Sequence, residues 1–444
     1  MTISETINQI IESPKNSQFF LGSLPQIESE YTALINLLNG KNPPFIYGVN
    51  SLVGHLDNHR LSTAEVKEFQ NELLENHSID LGFGYYNNWQ VQCIFYAKLL
   101  NIKNGGTGIS PELFLELIKI YSENNYTLKI PVNSSYSCGD VIPAANFIKE
   151  LSNYFSEETT IKDKDGISLI NGNFVSLGLS FSILPRLLKT LDNLISNTVD
   201  IFTVFSIDYK ILKPDSNSNL LTKDIYSKIE SISKGTKFTS QTSVSLRAAL
   251  KNIDLLYRVL LELNNFITEL SKQPSDNPLI FESEDVLSNS SFYSPFLAVK
   301  LSSIIETLLF CAWNVERRIH YILSGKIENT VQNFSTSKNR LGLIQIPKMV
   351  SNILQNMRLD CGTRNFTTGS ETSYGIEDSW SGVEKLIQQI SKLSNQFDKI
   401  LSIEQLIISY YINEDYPEFK NKLTNIPNSI EINSTYNYKF VKNL

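Results

Sequence analysis

The chain has 444 residues, which is long enough for a large hydrophobic core and two or three packed subdomains. Its 41% hydrophobic and 19% charged residues are typical of a soluble globular protein, and a net charge of −7 without any Lys/Arg run argues against a nucleic-acid partner. The first residues lack the pattern of a secretory signal, and no uncharged apolar run reaches about 18 residues, which argues against a membrane span. We therefore expect a cytoplasmic protein.

The apolar pattern predicts a mainly α-helical fold. Ser62–Glu65 has the form of a capping box at a helix start, and Ser110-Pro111 marks the start of another helix. Three long helices are predicted: from Ser245 to about Lys272, from Pro295 to near Gly325, and from about Gly382 to Tyr411. Apolar residues at three- and four-residue steps in the last of them are typical of a bundle seam.

Few segments have the pattern of a strand, and Pro44–Val49 is the best short candidate. Residues from about 414 onward are rich in Asn, Tyr, Pro and Lys, which is typical of a loose tail. We divide the chain into an N-terminal domain (1–175), a central long-helix bundle (176–413) and a C-terminal tail (414–444).

The cysteines and histidines do not form a metal-site pattern. The four cysteines are far apart and lack any C-x-x-C spacing: Cys93, Cys138, Cys311 and Cys361. His55 and His59 have i, i+4 spacing, but no third ligand accompanies them. We expect no metal, and three of the cysteines fit buried positions. Cys138 differs, since Ser, Tyr, Gly and Asp surround it in a turn.

Several segments resemble motifs of the histidase and aromatic amino acid ammonia-lyase family, in the family's order. The family's patterns include Y-G-[VI]-[NT]-T-G-[FY]-G, [AT]-S-G-D-L-x-P, Q-D-x-Y-S-x-R and Q-E-D. The matching segments are Tyr47–Gly54, Phe69–His77, Ser137–Pro143, Lys164–Gly172, Gln241–Arg247, Ser275–Ile280, Glu316–Arg318 and Ile376–Asp378. The resemblance implies the family's mainly α fold with its central bundle of long helices.

The resemblance also implies a self-made cofactor, 4-methylideneimidazole-5-one, because the family cyclises an Ala-Ser-Gly triplet into this electrophilic ring. Ser137, Cys138 and Gly139 occupy those positions here. The glycine nitrogen attacks the carbonyl two residues back and water leaves, after which the middle residue loses its side-chain heteroatom. A Cys can lose sulfide in the same β-elimination and leave the same exocyclic carbon.

Roles for further residues follow from the resemblance. Tyr47 would be the base that removes the β-proton, which requires a site that stabilises its phenolate, because an ordinary Tyr has a pKa of about 10. Arg247 would pair with the substrate carboxylate, and Asn171 would bind that carboxylate or the cofactor carbonyl. Gln241 would support the ring, and Glu377 would face the amine.

Three residues would shape the side-chain end of the pocket. His77 falls where members that use histidine or tyrosine keep a His, and Phe292 falls on the aromatic residue of G-N-F-H-G. Tyr293 replaces the His of that segment. Taken alone, His77 would fit a helix C-terminal cap.

The chain also departs from the family's patterns. Val244 replaces the Tyr of Q-D-x-Y-S-x-R, Thr242 replaces its Asp, and Ser379 replaces the His of Q-E-D-H. These changes indicate an altered pocket or altered chemistry.

We expect an ammonia-lyase that acts on an aromatic or imidazole L-amino acid, with a homotetramer implied by the resemblance. A 2,3-aminomutase of the same family is the nearest alternative. A non-lyase descendant that uses Cys138 as a free thiol, or that only binds an amino acid, is the other.

Overall fold

The computed structural model describes residues 1–133, 139–233, 241–283, 285–362, 371–427 and 438–441. Its α-helices, in chain order, are α1 (Ile3–Glu12), α2 (Gln18–Leu21), α3 (Leu24–Asn39), α4 (Thr63–His77), α5 (Asn88–Lys103), α6 (Pro111–Glu123), α7 (Val141–Ser152), α8 (Asp165–Ile170), α9 (Phe174–Ser182), α10 (Leu184–Val204), α11 (Leu220–Ile232), α12 (Val244–Arg247), α13 (Ala249–Leu270), α14 (Pro295–Ile322), α15 (Ile346–Cys361), α16 (Val383–Asn413) and α17 (Tyr416–Thr424). Two short strands, β1 (Leu279–Ile280) and β2 (Val286–Leu287), pair antiparallel with Leu279 opposite Leu287.

The mainly α-helical prediction is confirmed, and so are the second and third long helices and the starts of α4 and α6. The first long helix, predicted from Ser245, is divided at Ala248 into α12 and α13, because Ala248 leaves the helical conformation. The backbone N–H of Ser62 donates to the Glu65 carboxylate at 2.7 Å, as a capping box requires, and the Ser62 hydroxyl also donates to that carboxylate at 2.6 Å. The short strand predicted at Pro44–Val49 is wrong. Pro44–Ile46 have no regular structure and Tyr47–Asn50 form a turn, because the Asn50 side chain accepts from the N–H of Ile46 and donates to the carbonyl of Pro44.

Part of the segment expected to be a loose tail is also helical. Asp415 caps α17 by accepting from the N–H of Glu418 at 2.9 Å, and Phe419 packs against Tyr410.

The described residues form two compact units that interleave along the chain. Unit 1 consists of Met1–Ile183, Leu263–Val299 and Asn365–Ile387. Unit 2 consists of Leu184–Glu262, Lys300–Arg364 and Gln388–Leu444. The division into 1–175, 176–413 and 414–444 stays a prediction.

The core of unit 1 is built on α5, which is buried almost all round from Val91 to Ile102. A helix without a polar face needs apolar partners on every side, and α9 is the main one. The two helices approach so closely at Gly178 that a Cβ there would lie 2.5 Å from the Cα of Ile94. A larger residue at this position would force α5 and α9 apart.

Lys98 lies within this apolar core, on α5, and is fully buried. Its ammonium donates to the Ser168 carbonyl and to Oδ1 of Asn101 (3.0 Å), and it lies 4.6 Å from the ring centroid of Phe174. Burial lowers the pKa of Lys98 to about 7, against the opposing attraction of Asp276.

This pKa predicts a pH dependence that Lys98→Met removes. A lysine in an unfolded chain titrates near pH ~10.4, so between pH ~7 and pH ~10 the unfolded state binds more protons than the folded state. The contribution of Lys98 to the free energy of unfolding of the wild type therefore rises with pH over this range. We expect the free energy of unfolding of the wild type, minus that of Lys98→Met, to increase from pH 7 to pH 9.5 in urea titrations. A difference that stays constant with pH would contradict this.

Unit 2 contains a fully buried ion pair between α14 and α16. The Arg318 guanidinium donates from Nε and Nη2 to the two carboxylate oxygens of Glu404, at 2.8 and 2.7 Å. Thr198 and Asn197 on α10 complete the network, with Nη1 of Arg318 donating to Thr198 and Asn197 donating to Glu404. The pair therefore joins three helices through one satisfied polar cluster.

Two helical stretches, Asp165–Val204 and Pro295–Ile322, are long and apolar enough to cross a membrane by length and composition. The apolar window is completely buried in the first stretch and half buried in the second, and the core helices of soluble proteins meet the same criterion. The absence of a membrane partner stays a prediction.

Three cysteines confirm the expectation of buried small side chains. Cys93, Cys311 and Cys361 are buried, and burial raises the pKa of the Cys93 thiol and raises that of Cys311 to about 12. Cys138 lies outside the described residues.

Candidate functional site

The described part of the predicted cofactor triplet is Gly139, because Ser137 and Cys138 lie outside the described residues. Gly139 has a φ of +73°, in the left-handed region that favours glycine. The next residue, Asp140, also has a positive φ and is buried. Its Oδ2 accepts from the backbone N–H and the hydroxyl of Ser176 at 3.0 and 2.5 Å, which fixes the chain just after the triplet onto α9.

Two other predicted site residues lie against Gly139. An ideal Cβ on Gly139 would be 3.4 Å from Oδ1 of Asn171 and 3.8 Å from Cδ2 of Phe292. The Asn171 side chain is held in place, since Nδ2 donates to the carbonyl of Asn277 (2.7 Å) and Oδ1 accepts from the N–H of Gly172 (2.8 Å). The structure thus brings together an amide, an aromatic edge and the glycine of the triplet.

Tyr47 lies in the turn that Asn50 closes, and its side chain is partly exposed. Its hydroxyl oxygen accepts a hydrogen bond from the backbone N–H of Gly54, at 3.0 Å. The role of Tyr47 as base stays a prediction.

Gln70 is a supporting residue within the Phe69–His77 motif, and the family resemblance assigns it no role. It is fully buried on α4. Its Nε2 donates to the carbonyl of Gly48 (2.9 Å), and its Oε1 accepts from the N–H of Ile167 (3.0 Å). One side chain therefore joins the Tyr47 turn to α8, and the only sequence signal for it is a polar residue at an apolar-face position.

Gln70→Leu should leave the Gly48 carbonyl and the Ile167 N–H buried without partners. Each unsatisfied group costs about 1–3 kcal/mol, so we expect the free energy of unfolding to fall by a few kcal/mol and enzymatic turnover to fall with it. Urea denaturation and an ammonia-release assay measure the two effects. Asn71→Ala, at the exposed neighbouring position, is the matched control. Equal effects of the two substitutions would contradict the assignment.

Glu377 lies in a tight turn, where a short 3₁₀ helix (Ser373–Gly375) follows Thr372. The Thr372 hydroxyl donates to the Glu377 carboxylate at 2.6 Å. The backbone N–H of each of these two residues also donates to the backbone carbonyl of the other, at 2.8 and 3.2 Å. This turn meets the Tyr47 turn: a Cβ on Gly54 would lie 3.1 Å from Oγ of Ser373. The predicted base and the predicted amine-facing carboxylate therefore belong to neighbouring loops of unit 1.

His77 is the last residue of α4, and its Nδ1 lies 2.7 Å from the carbonyl oxygen of Leu73. This contact fits the interpretation of His77 as a cap of the C-terminus of α4. It leaves Nε2 as the ring atom for any substrate contact. Tyr293 is partly exposed, and its N–H donates to the Ser290 carbonyl (2.9 Å) just before α14. The substrate contacts of both side chains stay predictions.

Gln241 and Arg247 belong to unit 2. Gln241 is exposed in the loop before α12, and Arg247 is exposed at the end of α12. Arg247 lines a cleft of about 410 Å³ that also contains Lys213, Lys251 and Arg258. Asp215 and Asp254 also line the cleft and pair with Lys251 and Arg258. The roles of Gln241 and Arg247 in the site stay predictions.

Comparisons with known proteins agree with these observations. The sequence profile of the family described as "Aromatic amino acid lyase" matches residues 4–153 and 149–413. A probable histidine ammonia-lyase of Thermoplasma volcanium is 22% identical over 397 residues, covering 82% of this chain and 79% of that protein.

Solved structures resemble the whole chain. The phenylalanine aminomutase of Pantoea agglomerans superposes with a TM-score of 0.79 at 16% identity, covering 97% of this chain and 94% of that one. The ergothioneine-degrading ergothionase of Treponema denticola gives a TM-score of 0.80 at 14% identity, with the same coverage. These likenesses confirm the predicted histidase-like fold.

The family profile spans far more than half of the sequence and includes every motif that carried the resemblance. The chain therefore belongs to the aromatic amino acid lyase family and is an ammonia-lyase or aminomutase.

Proposed function

We propose that the protein eliminates ammonia from an aromatic or imidazole L-amino acid, with Tyr47 as base and a 4-methylideneimidazole-5-one ring formed from Ser137, Cys138 and Gly139. The observation that carries this proposal is the position of the Asn171 amide and the Phe292 ring against Gly139. They give the glycine of the triplet a polar neighbour and an aromatic wall, as a site for an aromatic amino acid requires.

The described residues fit such a ring. Gly139 has the left-handed backbone that a residue with a Cβ rarely adopts, and its neighbours at 3.4–3.8 Å leave its surroundings uncrowded. Two bonds from Ser176 hold Asp140, the residue after the triplet, so the backbone at the triplet's end is preorganised. When formed, the ring supplies an electrophile for the substrate's amine.

The protein's own groups then bind the substrate and move its protons. Tyr47 removes the β-proton as a phenolate, and the N–H of Gly54 stabilises the negative charge on the Tyr47 oxygen before the proton is taken up. Arg247 pairs with the carboxylate, Gln241 supports the ring, and Glu377 accepts a proton from the amine.

The side-chain end of the pocket selects the substrate. Phe292 and Tyr293 enclose an aromatic or imidazole group, and His77 reads its polar atom through Nε2. Asn171 binds the substrate carboxylate or the ring carbonyl through the second N–H of its Nδ2 amide, since the first donates to the carbonyl of Asn277.

We also propose a cytoplasmic homotetramer. Phe310 and Trp313, three residues apart on α14, are 50% and 42% exposed and contact each other edge to face. Large aromatic side chains exposed side by side on a long helix favour burial against another subunit.

A substrate screen tests the proposal. Purified protein is incubated with L-histidine, L-tyrosine and L-phenylalanine, and free ammonia, the unsaturated acid and the β-amino acid are quantified. We expect ammonia and unsaturated acid in equal amounts from at least one substrate. If no amino acid yields ammonia or a β-amino acid, the proposal is wrong.

Two alternatives have supporting observations. The similarity to phenylalanine aminomutase favours a 2,3-aminomutase, which would yield β-amino acid with little free ammonia. Val244, in place of the family's Tyr, presents an exposed apolar side chain without a hydroxyl, which favours a non-lyase descendant that binds an amino acid or keeps Cys138 as a thiol.

A further inference from the structure

A buried carboxylate outside the family motifs holds the chain just before the predicted triplet. Glu384, in the first turn of α16, is 2% exposed. Its Oε1 accepts from the hydroxyl of Tyr86 at 2.5 Å and from the backbone N–H of Asn133 at 2.6 Å. All three residues belong to unit 1.

Two donors and a helix start stabilise this buried charge. The N-terminus of α16 carries the positive end of the helix dipole, which favours a carboxylate in its first turn. Burial is the main cause that raises the pKa of Tyr86 far above its ordinary value, and the neighbouring Glu384 carboxylate is the second. Tyr86 therefore stays a neutral phenol whose O–H donates a hydrogen bond to Glu384.

The backbone places Tyr86 beside Asn133. The N–H of Tyr86 donates to the carbonyl of Ile130, and the N–H of Val132 donates to the carbonyl of Gly84, both at 3.0 Å. This short antiparallel pairing brings the residue before the triplet segment to the carboxylate. Asn133 has a φ of +59°, and the bond from its N–H to Glu384 holds this less populated conformation.

The chain is therefore held on both sides of residues 134–138, which lie outside the described residues. Glu384 holds Asn133 on one side, and Ser176 holds Asp140 on the other. Ring formation requires the nitrogen of Gly139 to approach the carbonyl carbon of Ser137. Fixing both flanks removes conformational freedom that would otherwise oppose this approach.

We propose that Glu384, supported by Tyr86, is a positioning residue for ring formation, acting through the backbone of Asn133. This inference rests on the proposed function, because it needs a ring to form. The balance of the step is unchanged: ring closure releases one water, and cleavage of the Cβ–Sγ bond of Cys138 with loss of its α-proton releases one hydrogen sulfide and leaves Cβ as the methylidene carbon.

The test follows ring formation over time. Full-length chains are made in a short cell-free synthesis, samples are stopped with acid, and intact mass gives the fraction that has lost one water and one hydrogen sulfide. Glu384→Met removes the acceptor and should slow this loss by about tenfold to a hundredfold, the factor for a lost hydrogen bond to a charged group. Glu384→Gln keeps an acceptor oxygen and should restore a rate near that of the wild type.

Lys385→Met is the matched control. Lys385 is the next residue of α16, and its ammonium donates to Oδ1 of the Asn133 side chain at 2.5 Å. It therefore contacts the same residue as Glu384 but does not accept from the Asn133 backbone N–H. The Lys385→Met variant should form the ring at the wild-type rate. Circular dichroism confirms that each variant is folded. If Glu384→Met does not fold, Tyr86→Phe replaces it and should slow the loss by several-fold, since it removes the bond that the Tyr86 hydroxyl donates to Glu384.

The outcomes separate the two claims. A wild-type mass deficit with equally fast formation in folded Glu384→Met, or in Tyr86→Phe where that variant replaces it, overturns the positioning role and leaves the proposed function standing. A wild type without the deficit overturns the ring itself and the inference with it. A slower rate in Lys385→Met, matching that of Glu384→Met, would show a general effect of the helix start and would also overturn the role of Glu384.

Discussion

Tyr47→Phe should lower the rate of ammonia release by about 10²–10⁴-fold, the contribution expected of one positioned general base. The substitution removes only the phenol oxygen that accepts from the N–H of Gly54. The turn itself depends on Asn50 and Gln70, so the fold and the mass deficit of the ring should be unchanged.

Tyr85→Phe is the control for the loss of a tyrosine hydroxyl, because Tyr85 is exposed and donates to Asp80 at 2.9 Å. It should keep wild-type turnover. The two variants are compared by initial rates at saturating substrate and by intact mass. Full activity in Tyr47→Phe would refute the assignment of the base.

Arg318→Met should lower the free energy of unfolding by about 3–5 kcal/mol, because it leaves the Glu404 carboxylate charged and buried without its partner. Thr198 would also lose its bond from the guanidinium. The effect is measured as a shift in the urea unfolding curve.

Arg358→Met is the matched control, since Arg358 is exposed on α15 of the same unit. Its effect should stay within about 0.5 kcal/mol. The double variant Arg318→Met/Glu404→Leu should recover most of the loss, because it removes both charges together. If both single variants lose the same stability, the buried pair does not have the role described.

The sequence predicted the fold wherever the signal was local. The capping box at Ser62 and Glu65 and the apolar spacing of the long helices depend on residues a few positions apart, and the structure contains them. The strand predicted at Pro44–Val49 failed because its β-type composition was outweighed by one side chain, Asn50, which closes the segment into a turn.

The candidate site was predictable only in part. The motifs identified Asn171 and Gly139, which the structure places side by side. They did not reveal the bond between Tyr86 and Glu384, which lie 298 residues apart. Such a contact depends on how the chain folds back on itself, and no periodicity or local motif carries that information.

The most direct test of the central claim is the intact mass of the purified wild-type protein, compared with Cys138→Ala. Ring formation from Ser137, Cys138 and Gly139 predicts a wild-type mass lower than that of the sequence by one water and one hydrogen sulfide. Cys138→Ala cannot form the methylidene and should show neither the sulfide loss nor ammonia release. A wild-type protein with the unmodified mass and a titratable thiol at Cys138 would contradict the account.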